Sequence, residues 1–228
     1  GIRSCNLLID NIDSVVDMDQ EEKNSWAAEA KLLKAYYHFL LAIYYGPIPI
    51  VDSNLSIDSS DEELRVFREP VDDVFAYILQ TIDNAVIDLP KRVMTTNDLG
   101  RMDQVIAHSL KSKVTLYAAS PLFNGNSEFY SDFIDHKGNP FFSQNIDVAK
   151  WEVAALAAES AISIALEQGI SMFSFSDTPS TFDSTNYRDN FFYRTLYDLK
   201  YSIIDPWNSE LIWGDSSPVN SWWRIQSG

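Results

Sequence analysis

The chain has 228 residues, 46% of them hydrophobic, with 17 basic against 33 acidic side chains and a formal net charge of −16. That length buries a core without metal or disulfide staples, and no Lys/Arg stripe is present to track a polyphosphate backbone, which argues against a nucleic-acid partner. A single cysteine, Cys5, excludes an internal disulfide, and no apolar run reaches the roughly 20 residues of a membrane helix.

Helical spacing of Leu7, Leu8, Ile12, Val15 and Val16 predicts a first helix at about 2–16, with Cys5 as a small, partly buried helix residue. Acidic residues lead into a second helix at 24–45, where Trp26, Ala30, Leu33, Tyr37, Leu40 or Leu41 and Tyr44 step by three and four along one face. Five aromatic rings crowd into Tyr36, Tyr37, Phe39, Tyr44 and Tyr45, which reads as a helix packed on more than one side. Gly46, Pro47 and Pro49 then stop it and favour an extended exit. After a polar, acidic loop at 53–69, Pro70 and two aspartates open a helix at 71–89 with Val74, Tyr77, Ile78, Ile82 and Val86 inward. A polar turn at 91–100 precedes a helix at 102–120.

Ala30, Leu33, Lys34 and Ala35 match Ala107, Leu110, Lys111 and Ser112, as expected of the second members of two helical hairpins. An alanine-rich helix at 148–168 completes a scaffold over 1–170, read as mainly α and built of stacked hairpins. Between them lies a long loop at 121–146, rich in Phe, Asn and Gly, whose length marks it as functional or packed on itself. Residues 171–228 read as loop-rich and aromatic, with a short strand-like run at 210–214 in which Trp213 is expected to be buried.

Four segments resemble one known family: EAKLLKAYYHF at 29–39 followed by YGPIP at 45–49; Gly100 and Arg101 leading to AHSLKSKV at 107–114; ASPLFNG at 119–125; and WEVAALAAESAI at 151–162. In order and spacing they are similar to the SusD-like (RagB/SusD) outer-membrane lipoproteins of gut and oral Bacteroidetes. The resemblance implies a tetratricopeptide-like scaffold carrying an irregular ligand region. It further implies a lipid-anchored surface protein seated on a SusC-like TonB-dependent transporter, capturing glycan or, less often, peptide. The family's signal peptide, lipid-bearing cysteine and first helices are missing ahead of Gly1, and its C-terminal part after Gly228, so the chain reads as a fragment.

Sugar binding needs a flat apolar ring and hydroxyl partners on loops held by a rigid scaffold. Trp207, Asn220, Trp222, Trp223 and Arg224 have that composition and are the candidate ligand residues, each tryptophan with a competing reading as core. The 121–146 loop is a second candidate, as ligand surface or transporter contact. His38, His108 and His136 are scattered and form no zinc, hydrolase or phosphate-binding motif, so neither catalysis nor a cofactor is expected. Asp183 and Asp189 bracket a polar loop without calcium-loop spacing, which reads as solvated. The leading function is thus non-catalytic glycan capture. A helical-repeat module for peptide or protein is the second reading. A glycoside hydrolase, which needs two facing carboxylates, is the third.

Overall fold

Short polar side chains decide where the helices begin and end in the computed structural model, which describes residues 1–56, 58–175, 191–205 and 207–214. Helix α1 (Ile2–Asn11) stops where Asn11 turns its Nδ2 back onto the Leu7 carbonyl at 2.8 Å, and one 3-10 turn, Ile12–Ser14, follows. The helix therefore falls short of Val16, which is left exposed. Asp19 opens α2 (Gln20–Tyr45), ahead of the expected Asn24, because its carboxylate accepts the Glu22 N–H at 2.8 Å while Glu21 and Glu22 complement the helix dipole. Gly46, at φ 70°, ends it, and the Phe142 ring lies 3.2 Å from where a Cβ would stand.

Helix α3 (Val71–Val86) follows Pro70 and buries Val71, Val74, Phe75, Ile78, Ile82 and Ala85. Helix α4 (Gln104–Ala119) is capped by buried Asp103, whose Oδ1 accepts the Ile106 N–H at 3.0 Å and whose Oδ2 accepts the Val93 N–H at 3.2 Å. Burial pushes this carboxyl up, against the pull of those two N–H donors. Gln104 reaches back from α4 to the Val86 and Leu89 carbonyls at the end of α3, at 3.2 and 3.0 Å, closing the hairpin. Arg101 grips both oxygens of Glu29 on α2 and lies 4.4 Å over the Trp26 ring, tying the same turn to its neighbour. Contacts run α1 to α2, α2 to α3 and α3 to α4, the stacked-hairpin order expected of a mainly helical fold.

The face that α2 buries is not the predicted one. Ala28, Ala30, Leu32, Lys34, Ala35, His38, Phe39 and Ala42 are inside, while Trp26, Leu41, Tyr44 and Tyr45 are exposed. Alanines let α1 and α3 approach closely, and Trp26, Tyr44 and Tyr45 are displaced to the rim while Phe39 stays inside. Lys34 and His38 are inside because the exit segment brings partners to them. Lys34 Nζ donates to the Asp52 carbonyl at 3.0 Å and to its Oδ1 at 3.1 Å, and the Tyr77 hydroxyl donates to the same oxygen at 2.8 Å. Val51 N–H donates to His38 Nε2 at 3.1 Å, so Nδ1 carries the proton and donates to the Lys34 carbonyl at 2.8 Å. The hydrogen bond from Tyr77, then that from Lys34, holds the Asp52 carboxyl below its usual range.

The 121–146 loop folds around its own aromatic core. Phe123, Phe141 and Phe142 are buried, Tyr130 stacks on Phe142 at 4.2 Å, and Phe123 meets Phe75 of α3 edge-on at 5.2 Å. Buried Asn124 stitches the loop's two ends: its Nδ2 donates to the Ala119 and Asp147 carbonyls and its Oδ1 accepts the Asp147 N–H. A one-turn helix, α5 (Ser127–Tyr130), sits within it. Helix α6 (Ala149–Glu167) turns alanines such as Ala154 and Ala165 inward and leaves Trp151, Val153, Leu156, Ile162 and Leu166 exposed.

The chain divides into two compact units, Gly1–Ile164 and Ala165–Gly228. In the second, the polar and aromatic stretch expected to be irregular instead carries helix α7 (Phe191–Ile204). The run at 210–214 is a turn and not a strand, and Trp213 there is half-buried. Among the described residues no strand forms, only an isolated bridge between Ile134 and Pro140.

Candidate functional site

The end of α7 sets the geometry of the second unit. Asn208 Nδ2 donates to the Ser202 and Asp205 carbonyls at 2.8 and 3.1 Å, taking up the acceptors that a helix end leaves unpaired. Its Oδ1 accepts the Glu210 N–H at 3.0 Å. With its amide committed at both ends, Asn208 is a clamp and not a free sugar partner.

The clamp holds the residue before it in an unusual state. Trp207 has φ 57°, and among the described residues no other side-chain-bearing residue has positive φ. A left-handed backbone costs a bulky residue about 1–3 kcal/mol, and such positions gather at ligand clamps. The indole stays half-buried, with its six-membered ring near Gly214: a Cβ there would lie 3.7 Å from that ring and 3.1 Å from Leu211.

Beside this turn, segment 171–175 runs along α7. Phe175 stacks on Tyr201 at 4.2 Å, and Tyr201 lies nearly parallel to Tyr197 at 5.9 Å. The carboxylate of Asp198 accepts the Phe175 N–H at 2.7 Å and that of Glu210 accepts the Phe173 N–H at 3.2 Å. Each acid thereby holds the backbone of the segment through one carboxylate oxygen. Among the described residues, no group of three or more His, Cys, Asp or Glu side chains comes together to hold a metal.

Of the candidate ligand residues, Trp207 is the one described. Asn220, Trp222, Trp223 and Arg224 lie outside the described residues, as does the polar loop of Asp183 and Asp189. The three histidines are placed apart: His38 in the helical core, His108 on α4 with Nδ1 3.3 Å from Ser160 Oγ, and His136 stacked on exposed Phe67 at 4.1 Å. Sequence reasoning missed the clamp, although an asparagine just past the last periodic residue of a helix is a recognised stop signal.

A family model described as SusD-like, "Starch-binding associating with outer membrane", matches residues 1–116, just over half of the chain. No curated protein matches. Among solved structures, the fold is similar to BT4246, with a TM-score of 0.74 and 26% identity over 96% of this chain and 40% of that one. It also resembles a SusD-like carbohydrate binding protein from Bacteroides fragilis, with a TM-score of 0.53 and 19% identity over 76% of this chain and 26% of that one. A protein crystallised with xylogluco-oligosaccharide gives a TM-score of 0.50 and 20% identity over 71% of this chain and 27% of that one. The last two likenesses concern the fold alone, and the chain spans less than half the length of each of these proteins. By the match of its helical scaffold, the chain belongs to the SusD-like family.

Proposed function

We propose that this protein is a non-catalytic, cell-surface glycan-binding protein. It captures oligo- or polysaccharide and delivers it to a SusC-like TonB-dependent transporter, held at the outer membrane by a lipid anchor. Family membership supports the glycan class, and one structural observation carries the site: a half-buried tryptophan fixed in left-handed backbone by a helix-end clamp. A ring pinned this way loses little freedom when a pyranose stacks on it, which is what a shallow sugar site requires. Asn220, Trp222, Trp223 and Arg224 extend that platform in this reading, the rings offering further stacking and the polar side chains pairing with hydroxyls. No helix among the described residues is long and apolar enough to cross a membrane.

Calorimetry against a panel of neutral oligosaccharides tests the proposal, with a peptide panel beside it. Trp207→Ala is expected to weaken glycan binding roughly tenfold or more, as for other tryptophan hot spots, with an unchanged circular dichroism spectrum. Unchanged affinity removes Trp207 from the site. Heat with peptides alone moves the ligand class, and turnover of any glycan refutes the non-catalytic reading.

A further inference from the structure

The 121–146 loop encloses an open cleft of about 770 Å³, lined on one side by Pro121, Leu122 and residues 124–130 and on the other by Ile146. Its walls are fixed. Asn124 bonds both ends of the loop, and Gly125, at φ 76°, is so tight that a Cβ would lie 2.5 Å from Ile146. Only glycine satisfies both the sign of φ and that approach. Asn126 caps the one-turn helix beyond, its Oδ1 accepting the Phe129 N–H at 3.3 Å, which sets the Phe129 ring at the cleft with 75% of its surface exposed. Tyr130, next in sequence, is instead stacked into the loop core on Phe142. So the fold stacks one ring of an adjacent pair against the loop core, half-buried, and offers the other to solvent.

Part of the polar lining is committed to the loop itself, through Asn124 and Asn126, and part is not. Among the described residues, the Ser127 hydroxyl and the Glu128 carboxylate have no hydrogen-bond or ion-pair partner in the protein. An exposed ring, a hydroxyl and a carboxylate on a rigid, open cleft match the two faces of a pyranose: apolar C–H on one side, hydroxyls around the edge. Glu128 disfavours an anionic sugar. The cleft also presents no strand edge, the feature on which extended peptides pair.

We propose that this cleft is a second sugar-binding site, which takes a neutral pyranose against Phe129 with Ser127 and Glu128 at the sugar's edge. It rests on the glycan reading above, and its residues belong to the first unit, whereas Trp207 belongs to the second. Two weak sites on one chain raise avidity for a polysaccharide without tightening the grip on a short oligosaccharide.

Native gels cast with soluble starch, xyloglucan or laminarin test this on the full chain, comparing wild type, Phe129→Ala, Trp207→Ala and the double variant. Phe129 is exposed, so its truncation leaves the core intact, and circular dichroism verifies that. Phe129→Ala is expected to reduce retardation roughly three- to tenfold in the polysaccharide that slows the wild type, with Phe129→Trp restoring it. Mobility of Phe129→Ala equal to wild type in that gel overturns the second site and leaves the glycan reading standing. Loss on Phe129→Ala with none on Trp207→Ala supports the cleft and removes the Trp207 site. A wild type slowed by none of the three polysaccharides overturns both.

Discussion

Lys34 on α2 and Lys111 on α4 occupy matching places in two similar stretches of sequence, yet the fold treats them differently. The Lys34 side chain is 7% exposed and meets Asp52, brought in from the exit segment after its own helix. The Lys111 side chain is 31% exposed and meets Asp83 on α3, its partner in the hairpin, at 2.5 Å. The histidines nearby diverge in the same way: His38 is enclosed with both ring nitrogens bonded, and His108 is half-buried with a single contact to Ser160. A repeated pattern therefore fixes helical register, while burial depends on which non-repeated segment lies across it. In α2 the Gly-Pro-Ile-Pro exit supplies that cover.

The largest effect expected from breaking this difference is at His38. His38→Ala removes a fully enclosed ring and leaves the Val51 N–H and the Lys34 carbonyl without their partner, a loss of about 2–4 kcal/mol by analogy with other large-to-small core changes. His108→Ala, at a half-solvated position, is expected to cost less than about 1 kcal/mol. Urea titration of both variants checks the contrast. Equal losses would mean that the exit segment contributes nothing special to α2.

The same contrast explains which parts were legible in the sequence. Pro70 and Gly46 act within one helical turn, so the start of α3 and the end of α2 follow from local chemistry, whereas the equally local Asp19 cap was passed over and α2 was expected to start at 24 instead of 20. The inward face of α2 does not follow locally, because large rings and small residues both recur at helical spacing. The alanine stripe won since α1 and α3 approach on both sides. Lys34 and His38, four residues apart among apolar neighbours, were the available hint of a buried polar stripe. Helix α7 was hidden by its polar and aromatic composition, though Leu196, Leu199 and Ile203 step by three and four. The tryptophan at 207 was visible as a residue type, whereas its left-handed backbone depends on the fold of the turn. The Phe129 cleft was foreseen only as a long loop of uncertain use, since nothing local tells Phe129 from the buried phenylalanines around it.

A sharper test exchanges the lysines. Lys34→Ala removes a donor to two oxygens of Asp52 and the stem that packs beneath them, at an expected cost of about 1–3 kcal/mol. Lys111→Ala breaks a partly exposed pair and should change stability by less than about 1 kcal/mol. Faster proteolysis within 47–56 in Lys34→Ala, but not in Lys111→Ala, would place the loss in the exit segment. The reverse pattern would sink the distinction drawn between the two hairpins.

The smallest effect is a dependence on pH, and its sign separates the two histidines from the acids. Burial lowers the affinity of His38 for a proton, more than its hydrogen bond to the Lys34 carbonyl raises it; Lys34 lowers it further and Asp52 raises it. The unfolded chain then binds more protons than the folded one below the ordinary histidine value of 6.5, so stability is full above that pH and falls as pH drops through it. His108 is lowered by burial and by Lys111 and has the same sign. Asp52 is also lowered, but as a carboxylate it loses its contribution only at more acidic pH, below its ordinary 3.8. Urea midpoints compared at about pH 7.5 and 5.5 therefore report the histidines, each limited to about 1.4 kcal/mol per pH unit, against the opposite sign of Asp103, whose carboxyl burial raises. His38→Gln should flatten that slope more than His108→Gln. A slope kept by His38→Gln and removed by His108→Gln would show that the open hairpin, not the covered one, carries the acid sensitivity, and that enclosure by the exit segment is not what excludes the proton.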